Sequence, residues 1–338
     1  MQKNLTLIMP TYNNNHFTLR FLKYYNQFSY DYNLIIADGG EKKIDKKIIL
    51  ELNKNKNIKY LNLSKKPNSK DIFKRFSYIL KFIKTPYIKV MANDDFFINH
   101  TILKCINFLK KNGKYDIAGG YLIDFKLKNN ILGKIYSLVP IYKIKSNDSE
   151  SIKQRINQFT QAMHDTSIFV CRTEMFKNTI KNSSKIFNND REFREIYVDI
   201  LNISHGKMKM FNDPIALHQI HNTNDGAKRT GIIDTLSDKN FLKKLIILDT
   251  QLNKILKIKE KINFSQTLFE NFFSSEIIKH KKKYYYGIKD ILKLSNNLIK
   301  LKLKKHYLDN YVAFLRGIRN NAVKKEIGSI QNFLLGTK

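Results

Sequence analysis

The chain is poor in acid. Its 338 residues carry 29 Asp and Glu against 61 Lys and Arg, a formal charge of +32. Cysteine is scarce too: Cys105 and Cys171 cannot make a disulfide framework, which points to a reducing compartment. No run approaches the about 18 apolar residues of a membrane-spanning helix. The apolar run within MQKNLTLIMPTY is too short for a signal peptide. A cytoplasmic protein is expected. Arginine makes up only 9 of the 61 basic residues, although base reading and bidentate phosphate grip favour it. The charge therefore speaks weakly for nucleic acid, and better for general attraction to anionic partners.

Several chemical signatures are missing. There is no GxxxxGK[ST] phosphate loop and no GxGxxG after the first strand. HExxH and CxxC pairs are absent, and so is a GxSxG elbow. P-loop hydrolysis, dinucleotide chemistry, zinc sites and α/β-hydrolase chemistry are thereby disfavoured.

What the chain does contain is enough apolar matter for a large core, at 42% hydrophobic and 12% aromatic residues. Its length suggests two units, or one large one with an appendage. LTLIMP (4–9 with Pro10) reads as a buried parallel strand. Apolar positions from Phe17 to Phe28 recur at helical spacing. Residues 33–37, 58–63 and 87–91 read as further strands, and helices are expected at 46–52 and from Asp71. Asn68 or Ser69 is the expected cap of the latter, and Thr85-Pro86 its stop. Four such alternations imply an open α/β sheet with crossover helices. Helices follow at 101–111, 151–160 and 173–181, and another begins near Phe193 and is closed by Gly206. Extended segments are expected at 115–125, 165–171, 207–211 and 214–220. Beyond about residue 235 only helical rhythm remains, at 240–258, 264–279, 286–305 and 307–317. This tail holds 21 basic and 7 acidic residues over 240–338. The expected division is a catalytic unit at 1–235 and a basic helical extension at 236–338.

Polar groups gather at the carboxyl ends of three expected strands: Pro10-Thr11-Tyr12-Asn13, Asp38-Gly39-Gly40 and Asn93-Asp94-Asp95. In an open parallel sheet this edge is where ligands bind. One such edge is ordinary turn chemistry, whereas three together outline a pocket. Adjacent carboxylates at Asp94-Asp95 suit Mg²⁺ or Mn²⁺ completed by diphosphate oxygens and water.

The strand-PTYNN, strand-ADGG and YIKVMANDDFF segments at this spacing resemble the GT-A nucleotide-sugar glycosyltransferases of family 2, over about residues 4–220. The resemblance implies a GT-A fold, a Rossmann-like and mostly parallel sheet with flanking helices. It also implies nucleotide-sugar contacts at Pro10, Thr11, Tyr12, Asn13, Asp38, Gly39, Asn93 and Asp94, and a metal site at Asp94 with Asp95 beside it. Ala92 stands where the usual motif begins with Asp, and ANDDF resembles an Ala-Asp-Asp-Asp-Phe variant of a bacterial subgroup. The helix before the motif is aromatic and basic, with Lys74, Arg75 and Phe76, and Arg75 joins the donor-site candidates.

Inverting transfer requires a base for the acceptor hydroxyl. In the family it stands at the start of a helix that ends in Gly about a dozen residues later. Asp190, Glu192 and Glu195 are the candidates here. Spacing from Gly206 favours Glu195; position at the helix entrance favours Glu192 or Asp190. His218 is a candidate metal ligand and His221 an alternative, the two facing opposite ways on an alternating strand. His164-Asp165 and Lys228-Arg229 are weaker candidates. The run KHKKKYYYGIKD (280–290) suits an anionic membrane surface as well as a solvated helix face.

The expected function is thus an inverting, Mn²⁺- or Mg²⁺-dependent glycosyltransferase. Its partners would be a nucleoside-diphosphate sugar, a glycan or lipid-linked glycan of a bacterial surface polysaccharide (capsule or lipooligosaccharide), and an anionic membrane face. No nucleic acid is expected. The alternatives are a nucleotidyl or phosphoryl transferase on a similar sheet and a non-catalytic basic nucleic-acid module. The acceptor is expected to meet segments 120–165 and 221–235.

Overall fold

The parallel half of the sheet is built from the apolar runs nearest the N-terminus. Strand β1 (Leu5–Thr11) pairs in parallel with β2 (Asn33–Asp38) on one side and β4 (Tyr87–Val90) on the other, and β2 pairs with β3 (Ile58–Asn62). Strands β1, β2 and β4 are buried along nearly their whole length, because crossover helices cover the sheet. Those helices are α1 (Asn15–Gln27), α2 (Lys46–Asn53) and α3 (Ile72–Ile79). The computed structural model describes residues 4–129, 131–141, 145–184, 186–187, 190–221, 238–256, 262–273 and 320–336. Outside the described residues lie Lys228-Arg229, the 280–290 run, the helices expected at 286–305 and 307–317, and the boundary expected at 235/236.

The second half of the sheet is mixed. It comprises β5 (Phe96–Phe97), β6 (Tyr115–Leu127), β7 (Ile135–Ile141), β8 (Val170–Arg172) and β9 (Lys207–Gln219). The order across the sheet is β3-β2-β1-β4-β8-β6-β9-β5, with β7 off this path, paired to the later half of β6. The two extended segments expected at 207–211 and 214–220 form the single strand β9, whose parallel register with β6 shifts at Gly120/Tyr121. Residues 166–168, expected as extended, make one 3₁₀ turn before β8. Helices α4 (Asn99–Lys111), α5 (Ile152–Thr160), α6 (Thr173–Ser183) and α7 (Arg191–His205) complete this half.

Two local expectations change. The cap of α3 is Asp71, whose carboxylate accepts from the N–H groups of Phe73 and Lys74. Asn68 instead takes a left-handed turn at φ 55°, and Ser69 turns its hydroxyl to the Gly39 carbonyl. Gly206 does end α7, but in extended conformation; a Cβ there would stand 2.1 Å from an Asp116 carboxylate oxygen. Close approach, not a left-handed cap, is what requires glycine at this position.

The described helices beyond residue 238 pack in two places. Helix α8 (Phe241–Leu256) and α9 (Phe264–Leu268), followed by a π-helical turn, lay Phe241, Leu245, Leu248, Phe264 and Phe273 against α7. The last described helix, α10 (Asn321–Leu335), enters the main core through Val323, Ile327, Ile330 and Leu334. Its Phe333 ring meets Tyr24 and Phe96 edge-on. Both carboxylate oxygens of Glu326 accept from the N-terminal N–H groups of α4: one takes Asn99, the other His100 at 3.1 Å. A carboxylate there satisfies two orphan donors and meets the positive end of the helix.

Glu326→Ala is expected to lower unfolding free energy by about 1–3 kcal/mol in urea titration, since two part-buried N–H donors lose their acceptor. An unchanged midpoint would refute that account. A second expectation concerns pH. His205 Nδ1 meets Asp116 at 2.7 Å, and this bond raises the imidazole pKa above its usual value against the opposing effect of burial. The stabilisation is therefore full below the ordinary histidine range and is lost as pH rises through the raised folded value. The stability difference between the protein and His205→Gln should shrink from pH 5.5 to pH 8.5.

Candidate active site

Register places the first two expected turns side by side: Thr11 of β1 pairs with Asp38 of β2, and Gly39 N–H donates to the Thr11 carbonyl at 3.0 Å. Asp38 is buried at 7% exposure. Its Oδ1 accepts from Gly40 N–H at 2.8 Å and its Oδ2 from the Tyr60 hydroxyl at 2.6 Å. Each carboxylate oxygen keeps a second acceptor direction. Burial and the Asp38 carboxylate raise the Tyr60 pKa, so the phenol stays a donor. Tyr60, on β3, is a site residue that the sequence did not single out. The signal was its place two residues before Asn62, the register partner of Asp38.

Around this shelf the chain comes very close. A Cβ on Gly39 would lie 2.2 Å from the Ser69 carbonyl oxygen, so only glycine fits. Arg75, 6% exposed, donates to the Thr11 carbonyl from α3. Asn13 takes a left-handed turn at φ 57°, and its side chain accepts from Lys42 N–H at 3.1 Å. Asn93 donates to Thr18 Oγ1 at 2.9 Å, which ties the third turn to α1. Pro10, Thr11, Tyr12, Asn13, Asp38, Gly39, Arg75 and Asn93 thus surround one edge of the sheet. The Asn93–Thr18 and Arg75–Thr11 contacts hold the backbone in place.

The two aspartates diverge. Asp94 Oδ2 meets His221 Nε2 at 2.8 Å, and the Asp94 side chain is 15% exposed. Asp95 turns inward, where its Oδ1 accepts from Gln219 N–H at 3.0 Å; burial pushes its pKa up to about 7. His218 Nδ1 meets Asp124 at 2.8 Å across the β6–β9 pairing. Burial would lower the His218 pKa, but Asp95, Asp124 and Asp94 outweigh it and raise it to about 9. The imidazole that reaches Asp94 is therefore that of His221, whose ring lies 4.7 Å from that of Phe17. Among the described residues no group of three or more His, Cys, Asp or Glu side chains is arranged as a metal cage.

Arg20 organises this corner and was also missed by the sequence reading. Its guanidinium is 3% exposed and donates to the Asp94 carbonyl at 2.5 Å and to Gln219 Oε1 at 2.6 Å. It lies 5.0 and 4.9 Å from the Phe17 and Phe96 ring centres. Burial pushes its pKa down to about 10, opposed by Asp94 and Asp95, so it keeps its charge at neutral pH.

The three base candidates are spread over the first turns of α7. Asp190 is the N-cap, accepting from Phe193 N–H at 3.0 Å and pairing with Lys244 of α8. Glu192 lies in the first turn. Glu195 Oε1 meets Arg191 Nε at 2.8 Å and its side chain is 27% exposed. One turn further, buried Asp199 accepts from both the N–H and hydroxyl of Thr166. Burial, then the charges of Asp165 and Glu195, push its carboxyl well up. The turn at His164-Asp165 therefore borders the helix that carries Glu195, with Asp165 itself capping Ser167.

The family model for glycosyl transferase family 2 matches residues 6–179, just over half of the chain. No curated protein matches in sequence. The fold is similar to that of S. aureus TarS residues 1–349 (12% identity, TM-score 0.56, 98% of this chain and 89% of that one). It is also similar to that fragment in complex with UDP-GlcNAc (13% identity, TM-score 0.52, the same coverage). The longer TarS chain is matched over 43% of its length, with a TM-score of 0.45. The mixed α/β sheet flanked by helices and the family match agree. The chain belongs to glycosyl transferase family 2, and it is a glycosyltransferase of GT-A fold.

Proposed function

We propose that the protein is an inverting, metal-dependent enzyme that moves a sugar from a nucleoside diphosphate, uridine diphosphate foremost, to a hydroxyl of a bacterial surface glycan. The observation that carries this reading is the meeting of Asp94 and His221 beside the Thr11–Asp38 shelf. The similar TarS fragment in complex with UDP-GlcNAc supports the choice of donor. Capsule or lipooligosaccharide as the setting, and a peripheral membrane position, rest on the resemblance and on the basic tail. Among the described residues no helix is long and apolar enough to cross a membrane.

The donor set fits a divalent cation: the Asp94 carboxylate suits Mn²⁺ or Mg²⁺, with remaining positions filled by diphosphate and water, and the His221 imidazole favours the transition metal Mn²⁺ of the two. Asp94 and His221 would hold it, with Arg20 fixing the Asp94 backbone. Asp95 and His218 would act from behind through their buried hydrogen bonds. When bound, the ion neutralises charge on the departing diphosphate. The residues of the chain do the rest. Asp38 and the Thr11-Tyr12-Asn13 turn hold the nucleotide. Glu195 takes the proton of the acceptor hydroxyl as that oxygen bonds to the anomeric carbon. The bond from this carbon to the diphosphate oxygen breaks, and its electron pair leaves with the nucleoside diphosphate.

Incubation with UDP-, GDP- and CDP-sugars plus Mn²⁺ should show slow nucleotide release that EDTA and Asp94→Ala abolish. No release and no binding with any donor would sink the proposal. His221→Ala should raise the Mn²⁺ concentration for half-activity by about tenfold or more, the loss of one metal ligand. Glu195→Gln should lower acceptor-dependent turnover by about 10²–10⁴-fold while donor binding stays. If Glu192→Gln or Asp190→Asn does so instead, the base assignment is wrong.

A further inference from the structure

At the N-terminal end of α7, between Ile186, Phe187 and Asp190 on one side and α8 on the other, lies an open cavity of about 510 Å³. Its apolar wall is Ile186, Phe187 and Ile247, and its polar groups are Asp190, Asn240, Lys243 and Lys244. The volume is within the about 300–1,000 Å³ of ligand pockets, which likewise combine apolar walls with a few placed polar groups. Asp190 precedes Glu195 by five residues, about 7–8 Å along the helix axis and about 140° around it.

The wall is held under strain. Phe187 adopts a left-handed backbone at φ 52°, a conformation that bulky residues avoid. Such residues cost about 1–3 kcal/mol and persist only where the surroundings over-determine them, often at functional sites. The surroundings here are specific. The Phe187 carbonyl accepts from Arg194 Nη2 at 2.5 Å and from Asp190 N–H at 3.1 Å. Arg194 is 1% exposed, and its other arm meets Asp71 at 2.5 Å. Asp71 caps α3, the helix whose Arg75 holds the Thr11 carbonyl. One chain of buried contacts thus connects the donor shelf, the start of α7 and the cavity wall. The Phe187 ring leans on Phe193, centre to centre 5.6 Å, and on Tyr197 at 6.2 Å.

The chemistry matches a carbohydrate. A sugar or polyol offers a C–H face to an aromatic or aliphatic wall and hydroxyls to carboxylate, amide and ammonium groups. Lys244 pairs with both Asp190 and Asp238, which orients the Asp190 carboxylate, while Lys243 is exposed. Every lining residue lies beyond residue 179, where the family match ends.

We propose that this cavity is the acceptor subsite, seating a sugar or polyol unit of the glycan with Phe187 on its C–H face and Asp190, Asn240 and Lys243 on its hydroxyls. The proposal rests on the glycosyltransferase reading with the base on α7, and makes Asp190 a binding group.

The test uses saturation-transfer NMR on the full chain. The probes are methyl glycosides of glucose, galactose, mannose, N-acetylglucosamine and N-acetylgalactosamine, each with and without UDP. At least one glycoside should give a signal. Asn240→Trp, which fills the cavity from an exposed position, should weaken its affinity by about tenfold or more, Lys243→Ala by less, and UDP affinity should stay within about twofold. A glycoside signal unchanged in Asn240→Trp, or no signal from any probe, overturns the proposal. Glycoside binding that depends on Asn240 without any nucleotide binding would keep the cavity as a glycan site and sink the transferase reading.

Discussion

The corner of the molecule on which the rest of the site depends is the buried guanidinium of Arg20. It is held between the Phe17 and Phe96 rings, and its N–H groups reach the Asp94 carbonyl and the Gln219 side chain. A third bond goes to the Ile131 carbonyl. It therefore ties α1, the turn after β4, the end of β9 and the turn between β6 and β7 to one rigid fork. An arginine suits this role because its planar donors are fixed relative to one another and its charge survives burial. Through it, Asp94 and His221 can meet although they stand 127 positions apart.

The remainder of the edge follows from strand pairing. Parallel register sets Thr11 beside Asp38, and Tyr60, Gly40 and Arg75 then hold that shelf by hydrogen bonds to its backbone and carboxylate. The two halves of the proposed site have separate supports. The proposed donor side rests on the sheet and α10, where Glu326 caps α4 just after β5. The proposed acceptor side rests on α7, whose position is set by α8 and by the Arg194–Asp71 pair. The tail of the chain thus contributes to both.

Much of the architecture was legible in the sequence. The apolar runs at 4–9, 33–37 and 87–91 became strands because a doubly covered parallel sheet leaves no polar face, while 58–63 became the half-exposed edge strand β3. The turns that follow them carried Asp38 and Asp94. Less legible were short-range alternatives: Asp71 rather than Asn68 or Ser69 caps α3, and Gly206 answers to Asp116 rather than to a left-handed turn. Lys89 shows the same limit. It sits in a central strand at 1% exposure with its ammonium on the Ile168 carbonyl, which no pattern of alternation reveals.

By itself the sequence determined the elements, their order and the polar turns at the carboxyl edge, because hydrophobic periodicity and turn chemistry act over a few residues. The tertiary structure alone decided which of those polar groups meet. It chose His221 over His218 as the neighbour of Asp94 and drew Asp95 inward. It also made Arg20, Tyr60 and Arg194 the hidden supports of the site, and it opened a cavity between α7 and α8. Each of these depends on register and burial between segments far apart in the chain, where the energy of a contact is set by what surrounds it rather than by its sequence neighbours.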